Sequence, residues 1–210
     1  MQKIKGLVSA PFTPMTKSGA VDYDKIELQA KLFKNNNLSG VFVCGTTGEG
    51  ISMTVDERKK VVEEWAKFTD DKLKLIVHVG NDCLEVAKEL SAHAEQNCAY
   101  AVSTIGPVFF KPKNMDLLLD WCADIAAAAP NTLFYYYNIP GLTGLDFPMR
   151  DFLPMMEERI PNLGGIKYSH EDHFDMGWCI RYKDYKYDVF FGMDEILLSG
   201  FMAGAKAGVG

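Results

Sequence analysis

The sequence predicts an α/β protein, a (β/α)8 (TIM) barrel, on three observations. Short apolar runs alternate with helical patterns about every 25 to 35 residues, which implies a parallel sheet with crossover helices. The runs are almost continuously apolar and bounded by Gly, Pro, Asn or Asp, as suits strands buried on both faces. Chemistry-bearing residues follow several different strands, the distribution a barrel gives. A doubly wound open sheet is the rival, but the first strand runs into Ala10-Pro11-Phe12-Thr13-Pro14, which is no glycine-rich phosphate cradle.

The first strand is Gly6-Leu7-Val8-Ser9-Ala10, and a helix over 22–35 follows it with Ile26, Leu28, Leu32 and Phe33 apolar. The second strand covers 40–44. Thr54, with Glu57 three residues later, then opens a helix as a capping box and leads to Val61, Val62 and Trp65. Strands over 75–79 and 100–104 are followed by helices over 84–94 and 115–128. The aromatic strand over 133–137 precedes a helical pattern over 148–159 that Pro154 weakens. Strands over 165–168 and 188–191 come next, and a short apolar helix spans 194–202. Seven strands result, with seven helices once the solvated helix start at 170–173 is counted, and Ala207-Gly208-Val209-Gly210 begins an eighth strand. A closed barrel typically takes ~250 residues, with ~200 as the lower limit. The expectation is therefore a barrel cut short before its eighth unit is complete, with two sheet edges exposed. No linker, low-complexity stretch or charge block divides the chain, so residues 1–210 read as a single catalytic barrel domain, incomplete at its C-terminal end.

Composition narrows the function. The 210 residues carry 22 Lys plus Arg against 28 Asp plus Glu, a net charge of -6, which argues against a nucleic-acid partner. No segment approaches the ~18 consecutive apolar residues of a membrane span, and the N-terminus has no signal-peptide pattern. The five cysteines, Cys44, Cys83, Cys98, Cys122 and Cys179, are odd in number and widely spaced. They read as reduced thiols of a cytoplasmic protein, each a small buried apolar residue.

Four stretches carry candidate chemistry. Lys167 lies inside the apolar strand Gly165-Ile166-Lys167-Tyr168, where alternation puts Ile166 and Tyr168 on one face and Lys167 on the other. If that face is the barrel interior, burial lowers the amine's pKa and a neutral amine can attack a ketone. Tyr137 is the last tyrosine of Tyr135-Tyr136-Tyr137-Asn138-Ile139-Pro140, placed to carry a proton at the barrel mouth, while Tyr135 and Tyr136 read as core. Gly45-Thr46-Thr47-Gly48-Glu49-Gly50 offers two hydroxyls and backbone N–H groups to a carboxylate or phosphate. Gly192-Met193-Asp194-Glu195 places adjacent carboxylates where polyol hydroxyls can bind, although Asp194 also suits a helix cap. His170 and His173 have a metal-like spacing without a third ligand, and His78 and His93 have no evident partner set.

Together these stretches resemble the dihydrodipicolinate synthase and N-acetylneuraminate lyase superfamily of class I aldolases, over the whole chain. The motifs that carry the resemblance are Gly45-Thr46-Thr47-Gly48-Glu49, Tyr137-Asn138-Ile139-Pro140 and Gly165-Ile166-Lys167. Two positions discriminate within the family. Leu142 stands where the synthases usually have an arginine, and the stretch over 106–112 lacks their proton-relaying tyrosine. The stretches over 135–144 and 192–195 are instead similar to sialic acid lyases, especially those of the animal type.

The resemblance implies a homotetramer of barrels, each followed by a C-terminal helical extension, that takes a small 2-keto sugar acid and needs no cofactor or metal. It implies that Lys167 forms the Schiff base and Tyr137 moves the proton. Thr46 and Thr47 would hold the pyruvate-end carboxylate, and Ser169, Gly192, Asp194 and Glu195 the hydroxyl-rich tail. The reaction implied is reversible cleavage of N-acetylneuraminate to N-acetylmannosamine and pyruvate. Another pyruvate-dependent aldolase of the family, or a shortened non-catalytic form, are the alternatives. Sialic acid lyases carry a Gly-Ser-Thr-Tyr-Asn stretch after the eighth strand, and this sequence stops at Gly210, just where its serine would come.

Overall fold

Parallel pairing of each strand with the next brings the last strand back to the first. The computed structural model describes residues 3–210, and among them eight parallel strands close in the order β1-β2-β3-β4-β5-β6-β7-β8. The strands are β1 (Gly6–Ser9), β2 (Gly40–Val43), β3 (Lys74–His78), β4 (Ala101–Thr104), β5 (Leu133–Asn138), β6 (Leu163–Tyr168), β7 (Asp188–Phe191) and β8 (Ala207–Val209). The open seam expected from chain length is therefore corrected. The three residues of β8 pair with Gly6, Leu7 and Val8 on one side and with Phe190 and Phe191 on the other. Ala10 N–H donates to the Gly210 carbonyl at 2.8 Å and extends the seam. A short strand of small residues suffices because closure requires only that both neighbours' backbone groups find partners.

Around the sheet lie α1 (Ile26–Asn35), α2 (Val55–Ala66), α3 (Leu84–Gln96), α4 (Met115–Ala127), the single turn α5 (Pro140–Thr143), α6 (Met149–Arg159), α7 (His173–Arg181) and α8 (Leu197–Ala203). The capping box at Thr54 and Glu57 forms as expected. Helix α6 forms despite Pro154, which withholds one backbone bond. Burial of Met149, Phe152, Leu153 and Met156 outweighs that loss, and the Asp175 carboxylate accepts from the Met149 and Arg150 N–H groups. Helix α7, of which the sequence showed only a polar start, is capped by Asp172, whose side chain accepts from Asp175 N–H.

Two apolar layers result. One fills the barrel, with Val8, Phe42, Ile76, Ala101, Tyr135, Tyr137 and Phe190 among its members, and the other packs the strands' outer faces against the helices. Leu163 and Ile166 both belong to the outer layer, yet a regular strand would put residues three apart on opposite faces. The register shifts at this point, with Phe134 opposite Leu163 and Tyr135 opposite Gly165, so β6 takes up one extra residue. Gly165 makes this possible: its φ is +154°, and a Cβ there would lie 1.9 Å from the Asp188 carbonyl oxygen. The consequence is that Lys167 faces inward.

Cys44, Cys122 and Cys179 are buried, but Cys83 and Cys98 are exposed, contrary to the expectation for every cysteine. Both lie at helix ends, Cys83 as the N-cap of α3 and Cys98 just after α3 in the left-handed region. There local backbone geometry, not packing, sets exposure.

Gly165→Ala is expected to destabilise the fold by roughly 3 kcal/mol or more, because the added methyl group meets backbone that cannot give way. Denaturant titration measures this, and a loss of ~0.5 kcal/mol or less would mean that β6 tolerates another register.

Candidate active site

The C-terminal ends of the strands gather the candidate residues. Tyr137 and Lys167 are the penultimate residues of β5 and β6 and are register partners, so their side chains leave the sheet side by side on its inner face. The Lys167 Nζ lies 4.1 Å from the ring centroid of Tyr137 and 4.1 Å from that of Phe42. Phe42 meets Tyr137 edge-on, at 5.6 Å between centroids.

Lys167 is buried, only 4 % exposed. Burial lowers its pKa from 10.5 to about 7, against a smaller opposing effect of the Asp194 charge. The shift corresponds to roughly 5 kcal/mol. The two ring faces favour the ammonium by about 0.5–2 kcal/mol each. Desolvation wins, and a substantial neutral fraction exists near pH 7.

The side chains of Thr46 and Ser169 are polar neighbours of the Tyr137 hydroxyl, which brings the ends of β2, β5 and β6 together. Its pKa is raised by burial, with the polar neighbours Thr46 and Ser169 acting the other way, so it is protonated at neutral pH. Ser169 donates in turn to the Gly192 carbonyl at 3.0 Å. Gly192 is the fourth stretch. A Cβ there would lie 2.2 Å from the Ser169 hydroxyl and 3.2 Å from the Lys167 Cε, so glycine is what allows this close approach.

Lys167, Tyr137, Thr46, Ser169 and Gly192 thus form one connected group. Asp194 begins the turn after β7, and its carboxylate lies against Gly210. Thr47 and Glu195 are exposed at the rim, and among the described residues no hydrogen bond or ion pair links either to Lys167 or Tyr137. His173, of the metal-like pair, hydrogen-bonds the Ser199 hydroxyl at 2.8 Å.

A cavity of about 230 Å³ opens beside this group, lined by Thr46, Glu49, His78, Ile105, Ile139 and Leu142 among others. Leu142 gives this mouth an apolar wall where an arginine would offer a cation. The loop over 106–112 carries the exposed Phe109 and Phe110, and the Asp82 carboxylate accepts from the Val108 and Phe109 N–H groups at 2.8 and 3.2 Å.

Three residues of the site escape the sequence reading. Phe42 and His78 are inward-facing by strand alternation, Phe42 on β2 and His78 two residues after Ile76 on β3, so the pattern itself was a usable signal. Arg58 gave none. It is an arginine within a polar-looking helix, and the structure buries it to 2 % exposure.

The sequence profile of the Dihydrodipicolinate synthetase family matches residues 3–210. The chain belongs to that family. It is 39% identical over 212 residues to N-acetylneuraminate lyase of Rattus norvegicus and 40% identical to that of Homo sapiens, in each case over 100% of this chain and 66% of the relative. The chain thus spans about two thirds of those relatives' length. Among solved structures, N-acetylneuraminate lyase of Proteus mirabilis superposes with a TM-score of 0.96 at 41% identity, and that of Aliivibrio salmonicida with 0.96 at 43%. Each comparison covers 100% of this chain and 70% of the other.

The lowered pKa of Lys167 has a consequence for stability. Between about pH 7 and pH 10.5 the unfolded chain holds a proton on this amine that the folded chain has lost, so stability from this group rises with pH across that window. Below the window the charged amine is buried at full cost. Lys167→Met is therefore expected to melt above the wild type at pH 6, with the gap narrowing as pH rises through the window. Paired thermal melts check this, and a gap that does not change with pH would refute the lowered pKa.

Proposed function

We propose that the protein is a Schiff-base aldolase that cleaves N-acetylneuraminate reversibly to N-acetylmannosamine and pyruvate. The observation that carries the reading is a buried, partly neutral amine at Lys167 against the ring of its register partner Tyr137, whose hydroxyl has Thr46 and Ser169 as polar neighbours. Support also comes from the names of the relatives at about 40% identity described above, N-acetylneuraminate lyases, and from a Ruminococcus gnavus sialic acid aldolase, 31% identical, solved as a catalytic lysine mutant.

The steps follow from these groups. The neutral Lys167 amine adds to the 2-keto carbon, and loss of water gives a protonated imine. As the carbon–carbon bond breaks, its electron pair moves toward the imine nitrogen and leaves an enamine, so no free carbanion forms. Tyr137, protonated at rest, gives its proton to the hydroxide that leaves as water when the imine forms; the resulting phenolate takes the hydroxyl proton of the departing aldehyde half, returns it to the enamine carbon, and is reprotonated by the water that hydrolyses the imine. Hydrolysis of the imine then releases pyruvate and restores the amine. Thr46 and Thr47 hold the carboxylate, while Ser169, Gly192, Asp194 and Glu195 face the hydroxyl-rich tail. Glycine at 192 leaves room for that tail next to Lys167. The apolar Leu142 favours this reading over the synthase.

Residues 1–210 act in this reading as one catalytic barrel domain. Assembly as a homotetramer and a cytoplasmic location belong to it as well. The family resemblance supports the first and the odd, widely spaced cysteines the second. Sedimentation equilibrium at four times the protomer mass is the expected result.

Treatment with pyruvate and borohydride is expected to place a reduced adduct on Lys167, mapped by peptide mass spectrometry, and N-acetylneuraminate is expected to yield pyruvate. Absence of any adduct on folded protein would refute the Schiff-base reading. An adduct with no cleavage of N-acetylneuraminate would move the substrate to another sugar acid of the family. Tyr137→Phe is expected to keep the adduct while lowering kcat by ~100-fold or more, the usual contribution of a positioned proton donor. A kcat within ~3-fold of wild type would remove Tyr137 from the chemistry.

A further inference from the structure

The loop over 45–50 is held in an unfavourable backbone conformation. It leaves β2 through Cys44 at φ +57° and ends at Glu49 at φ +53°, two non-glycine residues in the left-handed region. A side chain with a Cβ adopts that region only at a cost. Just after Glu49, Gly50 packs so closely on the Cys44 carbonyl that a Cβ would fall 1.8 Å from its oxygen. That carbonyl is the pivot of the loop, and whatever fixes it fixes the positions of Thr46 and Thr47.

His78 is the side chain that reaches it. Its Nδ1 lies 3.2 Å from the Cys44 carbonyl oxygen. A carbonyl only accepts, so Nδ1 carries the proton and donates. The imidazole is neutral: burial, with the charges of Arg58 and Lys167, lowers its pKa to about 3. Its Nε2 is buried without a hydrogen-bond partner among the described residues, and the ring stands edge-on to Tyr137 at 6.1 Å while lining the cavity beside Thr46.

Arg58 fixes His78 in turn. Its two terminal nitrogens donate to the His78 carbonyl at 2.7 Å and the Gly80 carbonyl at 2.9 Å. Those bonds clamp the end of β3 to α2, whose own start is fixed by the Thr54 capping box. No carboxylate pairs with the guanidinium among the described residues, which leaves an uncompensated positive charge behind the loop. A buried unpaired charge is costly for stability alone. It is well placed where an anion is to be received.

We propose that His78 and Arg58 are positioning residues, which hold the 45–50 loop in the conformation that presents Thr46 and Thr47 to the carboxylate of a 2-keto acid. The role rests on the aldolase reading above, but its geometric part does not need chemistry to be tested.

The experiment compares wild type, His78→Phe and His78→Asn, whose amide nitrogen takes the Nδ1 place. Amide hydrogen exchange is read at Glu49 and Gly50, which donate within the loop at 3.0 and 3.1 Å. Losing the bond to a buried carbonyl is expected to speed exchange there at least ~10-fold in His78→Phe, with β6 unchanged. The pyruvate concentration for half-maximal borohydride labelling of Lys167 is expected to rise at least ~10-fold, with maximal labelling and its pH midpoint unchanged. His78→Asn is expected to restore both to within ~3-fold of wild type. Should His78→Phe not fold, His78→Gln, whose amide reaches the Nε2 place, takes its part. Loop amides as protected in His78→Phe (or His78→Gln) as in wild type would overturn the proposal, as would an unchanged pyruvate dependence with loosened amides. If wild type takes no pyruvate label, the aldolase reading fails, and the exchange result still decides whether His78 holds the loop.

Discussion

Desolvation of one primary amine is the constraint on which the rest of the site depends. Lys167 is enclosed by the barrel wall and by the faces of Phe42 and Tyr137, and the loss of water around it exceeds what two aromatic faces return. A more open site would leave the amine charged and inert as a nucleophile at neutral pH. A more apolar one, without Asp194 and the ring faces, would bury a group with nothing to hold its protonated form. The site lies between these limits, and both protonation states are populated where the chemistry needs them.

The fold supplies this environment through register. Lys167 faces inward only because β6 takes up an extra residue at Gly164 and Gly165, after which Ile166 and Tyr168 return to the outer layer. The same parallel register sets Tyr137 directly beside it. Gly192, across the seam to β7, then leaves space that any side chain would fill. Three glycines and one strand pairing therefore determine the arrangement, and the reactive residues themselves contribute little to how they are placed.

Much of this was legible in the sequence. Apolar runs and intervening amphipathic patterns located seven strands, and alternation within Gly165-Ile166-Lys167-Tyr168 assigned Lys167 to its own face. Closure was not legible, because the reading weighed chain length, whereas three small residues complete the hydrogen bonding between β7 and β1. Helix α6 was underrated since a proline's local cost is visible in sequence and the burial of four large side chains against it is not. In the site, Thr46, Tyr137, Lys167 and Gly192 stood in sequence motifs and Ser169 came only with the family resemblance, while their convergence around Tyr137 and Lys167 is a tertiary fact. Arg58 was hidden for a different reason. Its partners are backbone carbonyls, and no side-chain pattern records those.

The central claim, that burial outweighs Asp194 and the ring faces and lowers the Lys167 pKa, is tested most directly by titrating the protein with ¹³Cε-labelled lysine and following the ε-methylene resonances by NMR. The account predicts one lysine that titrates near pH 7, absent from the Lys167→Met variant. A spectrum in which that same resonance titrates with the bulk of the lysines, near the ordinary ~10.4, would contradict it.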